Sequence, residues 1–188
     1  MAYFSHCAQR MLIAAKQSFV SSSNSKFQYI KFEIYRCVNQ VFNPYVQAYV
    51  TQLASLFFES DDGDYFVYPD DIACYSENFD QNGESPYKLF TNKRPPTEGG
   101  DKWCAFSPNG IFSAYCDLKN PIFNPNVYRI AGFYNGSDTS NYTERRPEDF
   151  AIFLSNDPNE WIRYLNVTGY DGPTGNFALY YQGTLSKG

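Results

Sequence analysis

Short segments in which apolar side chains recur at every second residue follow one another along this chain. In the clearest of them, Phe150, Ile152 and Leu154 occupy alternate positions, which is the period of a strand whose two faces differ. The next segment, 156–159, reads Asn-Asp-Pro-Asn and is typical of a turn. Units of this kind predict strands joined by turns.

The same pattern predicts strands elsewhere in the chain. The segments concerned are 25–40, 45–60, 102–106, 111–118, 127–136 and 177–181. For 45–60 a helix is the weaker alternative, and 69–102, rich in Pro, Gly, Asn and Asp, predicts long loops with short strands. The 17 Tyr, 17 Phe and 2 Trp favour sheet, because aromatic side chains suit a half-buried pleated surface. Many short strands separated by turns predict an all-β sandwich.

The first residues differ from the rest of the chain. One apolar helical face is formed by Met11, Leu12, Ala15 and Phe19. We therefore expect a short helical extension and linker over 1–24, followed by a sandwich domain over 25–188. The start lacks the basic segment and uninterrupted apolar core of a signal peptide. No apolar stretch reaches the roughly 20 residues that a membrane-spanning helix needs, so no membrane span is predicted.

Charge and cysteine content restrict the partners and the compartment. The net charge is -5 and no basic run occurs, so nucleic-acid binding is not predicted. The 5 Cys form no C-x-x-C pair, which favours reduced thiols in a cytoplasmic protein. The alternative is secretion with disulfides and one free thiol, which alone would use the glycosylation sequons at Asn135, Asn141 and Asn166.

Residues suited to catalysis are few. A Ser-His-Asp or Cys-His site needs a histidine, and the one histidine, His6, lies in the predicted extension. The acidic pair Asp61-Asp62 lies in a turn-like segment and is interpreted as solvated. We therefore expect a protein that is not an enzyme. Arg146 and Asp149 are expected to form an ion pair where the following strand begins.

Four motifs occur in a fixed order in the second half of the chain. They are Lys102-Trp103, the segments 115–118 and 128–130, and the segment 146–165 with its Ser-Asn-Asp turn and tryptophan. This order resembles discoidin-like domains, the coagulation factor V/VIII C-type group of the galactose-binding-like jelly rolls. The resemblance covers roughly residues 85–165 and implies a jelly-roll β-sandwich.

The strands that usually close such a domain stand first in this chain. Segments 27–35 and 46–58 resemble the last two strands of the family, so the resemblance implies a circularly permuted strand order. The termini of a sandwich often lie close together, which makes permutation physically easy. We therefore expect Phe32 and Ile34 to share one core with Phe150 and Trp161.

The resemblance also implies roles for individual side chains. The core residues it implies are Trp103, Phe150, Ile152, Leu154 and Trp161. Related jelly rolls bind ligands through loops at one end of the sandwich, and in the loop 86–101 the candidates are Tyr87, Asn92, Lys93 and Arg94.

The family can also hold a structural calcium ion near the Lys-Trp pair. Asn92 and Asp101 are the candidate ligands, but Thr91-Asn92 stands where a family member usually has Asp-Gly. No other cofactor is implied.

Two functions follow from this interpretation. The first is a non-enzymatic intracellular interaction or structural module, a small subunit that docks on other proteins of a larger assembly. The resemblance implies a ciliary or microtubule-associated cytoskeletal setting, because discoidin-like domains of this type occur in ciliary transport and ubiquitin-ligase complexes. The alternative is a lectin-like module that binds a carbohydrate or a lipid through the loops at one end of the sandwich.

Overall fold

The computed structural model of the chain describes residues 26–188, and the extension predicted for 1–24 lies outside them. The described residues form ten strands in two five-stranded antiparallel sheets. The first sheet contains, in spatial order, β3 (Ala73–Ser76), β6 (Phe112–Asp117), β1 (Tyr29–Cys37), β8 (Pro147–Asp157) and β9 (Glu160–Val167). The second contains β10 (Leu179–Thr184), β7 (Ile130–Asn135), β2 (Tyr49–Glu59), β5 (Trp103–Ser107) and β4 (Phe79–Asp80).

Helical structure in residues 26–188 is limited to two short 3-10 helices, at Pro86–Lys88 and Thr143–Arg145. In this part of the chain, no helix has the length and apolar character needed to cross a membrane. The prediction of an all-β sandwich is confirmed, and segment 45–60 contributes one strand and not a helix.

The two strands nearest the N-terminus lie at the centre of the sandwich. β1 lies between β6 and β8 in the first sheet, and β2 lies between β5 and β7 in the second. In the register of β1 with β8, Phe32 is opposite Ile152 and Ile34 is opposite Phe150. The ring centroids of Phe32 and Phe150 are 5.8 Å apart. The expectation that the opening strands share one core with the strand at 150–154 is confirmed.

The core between the sheets is built mainly from aromatic and branched side chains. Phe133 on β7 contacts Phe32 and Phe150 of the other sheet, with ring centroids 5.2 Å apart in each pair. Trp103 is fully buried, and its indole N–H donates to the Asp80 carboxylate at 2.8 Å. Burial of each such ring contributes about 2–3 kcal/mol to folding. The inward-facing residues include Trp103, Phe150, Ile152 and Leu154.

A break in β2 positions the loop 86–101. Ser55 has a φ of 46°, in the left-handed region, and the register of β2 with β7 shifts at this point. Two polar groups at this break bond to the loop. The Leu56 N–H donates to the Leu89 carbonyl at 2.8 Å, and the Ser55 hydroxyl donates to the Lys93 carbonyl at 2.6 Å. The irregular strand therefore anchors the loop to the second sheet.

The expectation of an ion pair between Arg146 and Asp149 is wrong. Asp149 pairs with Arg36 of β1, with Nε and Oδ2 2.9 Å apart, and Arg146 pairs with Asp171, with Nη1 and Oδ1 2.7 Å apart. Arg146 also donates to the carbonyl of Gly172. Each of these two ion pairs therefore joins segments that are separated in sequence and that the sandwich brings side by side.

Candidate functional site

The loop 86–101 holds most of its predicted ligand residues against the protein itself. The side chain of Asn92 accepts from the Tyr68 N–H and donates to the Tyr68 carbonyl, at 2.9 Å in both bonds. The guanidinium of Arg94 lies 4.0 Å from the centroid of the Tyr65 ring. Both side chains therefore support the loop structure.

A cavity of about 350 Å³ lies beside this loop. Tyr87, Asn92 and Lys93 line it, whereas Arg94 does not. Tyr87 is 49% exposed at the cavity. The structure therefore brings three of the four predicted loop residues together. Tyr87 supplies the one aromatic ring among these three.

Asn92 and Asp101, the predicted calcium ligands, have protein partners. Both carboxylate oxygens of Asp101 lie 3.0 Å from the Lys93 ammonium, and the Glu98 N–H donates to one of them at 3.3 Å. Burial acts to raise the pKa of Asp101, but these hydrogen bonds outweigh it and hold the pKa below its usual value. Within residues 26–188, no three or more His, Cys, Asp or Glu side chains cluster so as to hold a metal ion. Calcium binding stays a prediction.

A continuous aromatic surface covers the outer side of the first sheet. One row of residues crosses four strands in register: Tyr75 on β3, Tyr115 on β6, Lys31 on β1 and Phe153 on β8. Outward positions of an antiparallel sheet usually carry polar side chains, because only the other face is packed on the core. We call this surface the aromatic face, and it comprises Tyr29, Lys31, Tyr75, Tyr115, Phe153 and Trp161.

The rings of the aromatic face contact one another closely. Tyr75 and Tyr115 stack in parallel, with centroids 4.5 Å apart and planes inclined by 3°. Trp161 meets Tyr115 edge to face at 5.8 Å. The Lys31 ammonium lies 4.3 Å from the Phe153 centroid and 5.1 Å from the Trp161 ring centre, within the range of cation–π attraction. These contacts hold the rings in place before any partner arrives.

Trp161, for which the resemblance implies a place in the core, lies on this outer surface. Its neighbour Ile162 is opposite Leu154 of β8 and packs against the core. Adjacent residues of a strand point to opposite faces, so Trp161 points outward. Its indole N–H donates to the Pro158 carbonyl at 2.9 Å, which fixes the ring at the turn between β8 and β9. The core role expected for Trp161 is wrong.

Charged side chains border the aromatic face. The Tyr115 hydroxyl donates to Glu77 at 2.6 Å, and the Tyr35 hydroxyl donates to Glu33 at 2.7 Å. Burial and the Glu77 carboxylate raise the pKa of Tyr115 well above its usual range, so this hydroxyl stays neutral and remains a donor. The surface thus has an aromatic centre with one cation and an acidic border.

A cluster of polar side chains is enclosed on the outer side of the second sheet. The Lys102 ammonium lies 2.7 Å from an Asp138 carboxylate oxygen and 3.4 Å from a Glu84 oxygen, and it donates to the Ser137 hydroxyl. In the described part of the chain, Gln52 Oε1 and Glu84 Oε2 are buried without a hydrogen-bond partner. We call Gln52, Glu84, Lys102 and Asp138 the polar cluster.

Cys104 lies next to the polar cluster, opposite Gln52 in the register of β2 with β5. Burial is the main cause that raises its pKa to about 12. A thiol protonated at neutral pH is a poor nucleophile, so this arrangement does not activate Cys104.

The aromatic face is the main functional candidate that sequence analysis missed. Its signal was present, because Tyr29, Lys31 and Tyr115 occupy outward positions of strands that were predicted. The strand pattern identifies which residues share a face of one strand, but it does not show which strands are neighbours. Only the sheet order reveals that separate aromatic residues form one surface.

Comparisons of the chain with protein-family models, with curated proteins and with solved structures found no match. The resemblance to discoidin-like domains therefore stays a prediction from the four motifs.

Proposed function

We propose that this β-sandwich is a non-catalytic binding module that docks on another protein of a larger assembly through its aromatic face. The observation that carries the proposal is the in-register row of Tyr75, Tyr115, Lys31 and Phe153 across four strands. A protein partner is supported by its composition, because the centres of protein interfaces are enriched in Tyr, Trp and Phe and their rims are polar.

Preorganisation supports the same surface. Tyr75 is 50% exposed while its ring is already stacked on Tyr115. A partner that covers the Tyr75 ring gains apolar burial without the entropic cost of ordering that ring. Binding energy at such surfaces concentrates in a few aromatic residues, and Tyr75, the most exposed ring of the aromatic face, is the residue to test.

The experiment compares two exposed tyrosines in the tagged full chain. A photo-crosslinking amino acid replaces Tyr75 on the aromatic face or Tyr45, which is 95% exposed in the connection between β1 and β2. We expect a protein adduct from position 75 in cells that express the protein, and none of that adduct from position 45. The captured protein is then purified and titrated against Tyr75→Ala and Tyr45→Ala variants.

We expect Tyr75→Ala to weaken binding at least about tenfold, as loss of an aromatic hot-spot residue does, and Tyr45→Ala to change it less than about twofold. The opposite ranking, or equal affinities for both variants, would contradict docking through the aromatic face. Far-ultraviolet circular dichroism of both variants controls for folding.

A lectin-like function at the loop 86–101 is the second candidate. It is favoured by the cavity of about 350 Å³ with the exposed ring of Tyr87 beside it, because ligand sites are concave. A glycan array and lipid vesicles probe this function. Binding that is lost in Tyr87→Ala and retained in Tyr75→Ala would establish the loop as the site in place of the aromatic face.

We also propose that the sandwich is a discoidin-like jelly roll with permuted strand order. The central positions of β1 and β2 support this, because these strands resemble the last strands of the family and fill the middle of each sheet. The cytoplasmic, cytoskeletal setting rests on the resemblance alone. Fluorescence imaging of the tagged full chain tests it, and a secreted or diffuse signal would overturn it.

A further inference from the structure

Two cysteines face each other on neighbouring strands of the first sheet. Cys74 of β3 is the direct partner of Cys116 of β6 in their antiparallel register. Both side chains point inward, since Cys116 belongs to the core and Cys74 packs against it. Cys116 is buried, whereas Cys74 is partly accessible. One thiol of the pair can therefore be reached from solvent.

The geometry of such a pair matches the requirements of a disulfide. Directly opposite residues of antiparallel strands have Cα atoms about 4.5–5.5 Å apart, and disulfides span Cα distances of about 4.4–6.8 Å. The other buried thiols lack this arrangement. Cys37 is opposite Pro147, and Cys104 is opposite Gln52.

We propose that Cys74 and Cys116 are a redox-sensitive thiol pair that closes reversibly to a disulfide and fixes the edge strand β3 to β6. This inference goes beyond the docking function and does not depend on it. β3 has four residues and pairs only with β6, so a covalent bond at its second residue restrains the whole strand.

A small disulfide such as oxidised glutathione is the oxidant. The Cys74 thiolate attacks one of its sulfurs, forms a mixed disulfide and releases one glutathione thiolate. The Cys116 thiolate then attacks the Cys74 sulfur and releases the second glutathione. The two protein thiols lose two electrons and two protons in total, the electrons reduce one oxidised glutathione to two thiols, and the protons pass to solvent and the leaving groups.

Closure requires the Cys116 thiol to ionise. In the reduced pair the neighbouring Cys74 thiol and burial raise the pKa of Cys116 well above its usual range, and burial alone keeps it raised once Cys74 is joined to glutathione. Because the thiolate is the nucleophile, closure accelerates with pH, about tenfold per unit while Cys116 remains mostly protonated.

The test uses the full chain in a Cys7→Ser background, which removes the thiol outside the described residues. Reduced protein is incubated with oxidised glutathione at pH 7 and pH 8, and free thiols are then blocked with N-ethylmaleimide in denaturant, so that the buried cysteines react as well. We expect the intact mass to show two fewer blocked thiols and a loss of about 2 Da. Peptide mapping is expected to find Cys74 joined to Cys116.

Variants separate the pair from a general effect of oxidation. Cys74→Ser should abolish the disulfide, while Cys37→Ser and Cys104→Ser should retain it. Cys116→Ser should also abolish the disulfide, but it alters the core. Cys74→Ser is therefore the informative variant if Cys116→Ser fails to fold. A stable glutathione adduct on Cys74 without closure, or a disulfide to any other cysteine, would overturn the proposal.

Hydrogen exchange tests the effect on the strand. Oxidation should slow exchange in segment 73–76 at least about tenfold relative to the reduced protein, because local opening of the edge strand is then restrained. Segment 179–184, which forms an edge of the other sheet, should be unchanged. Equal exchange of segment 73–76 in both redox states would refute a fixed β3.

Discussion

Replacing Lys102 with methionine should destabilise the sandwich strongly. The Lys102 side chain is 7% exposed and its ammonium lies between Glu84 and Asp138. Methionine preserves an unbranched apolar stem but removes the charge. Removing one partner of a buried ion pair costs about 3–5 kcal/mol, because the remaining charge is left uncompensated.

The structure places the expected value at the lower end of this range. The Asp138 side chain is 31% exposed, so its carboxylate keeps part of its hydration, whereas Glu84 is 14% exposed. We therefore expect Lys102→Met to lower the free energy of unfolding by about 3 kcal/mol. With a urea dependence of about 2 kcal/mol per molar, the unfolding midpoint should fall by about 1.5 M.

The matched control is Lys119→Met. Lys119 pairs with Asp117 at 3.4 Å and its side chain is 41% exposed, so the same chemical change should cost less than about 1 kcal/mol. Adding Glu84→Gln to Lys102→Met should recover at least about 1 kcal/mol, because it removes the uncompensated charge. Equal midpoints for the two lysine variants, or no recovery in the double variant, would refute the reasoning.

Three further predictions concern the fold and the loop. Gly132→Ala should lower the free energy of unfolding in urea by about 1–3 kcal/mol, because a Cβ there would lie 2.5 Å from the Phe57 ring and 2.7 Å from the Tyr181 carbonyl. Gly99→Ala is the control and should be close to neutral, because a Cβ there has nothing within 4 Å. Asn92→Ala should cost about 1 kcal/mol, because it removes two hydrogen bonds to the backbone of Tyr68; a cost equal to that of Gly99→Ala would contradict this. The Asp101 carboxyl has a pKa below its ordinary 3.8 in the folded state, so its stabilisation is present at higher pH, declines as the pH falls below about that value, and is lost below the folded pKa. Asp101→Asn should therefore flatten the acid limb of stability against pH, and an unchanged limb would show that the Lys93 pair does not contribute.

Strands were predictable here because their signal is local. Phe150, Ile152 and Leu154 show the two-residue period directly, and the structure places all three inward. Trp161 was assigned to the wrong face because its direction depends on how β9 aligns with β8 across a turn. A shift of one residue in that register reverses the face of every side chain.

The candidate site was less predictable because it depends on neighbours distant in sequence. Lys31 reads as an ordinary outward lysine until the sheet order places Tyr115 and Phe153 beside it. The loop residues Asn92 and Lys93 line one cavity, but their partners, Tyr68 and Asp101, depend on how the irregular strand β2 anchors the loop. Spacing along the chain carries no information about such contacts.

The central position of β1 has a consequence for how the protein is made. Arg36 at the end of β1 contacts Asp149, 113 residues later, and the neighbours of β1 in the sheet, β6 and β8, are both synthesised long after it. When β1 leaves the ribosome, its apolar side chains have no native surface to cover them. Long-range pairing of this kind slows folding, so a strand that lies at the centre of its sheet stays without its neighbours in the growing polypeptide until β6 and β8 have been made.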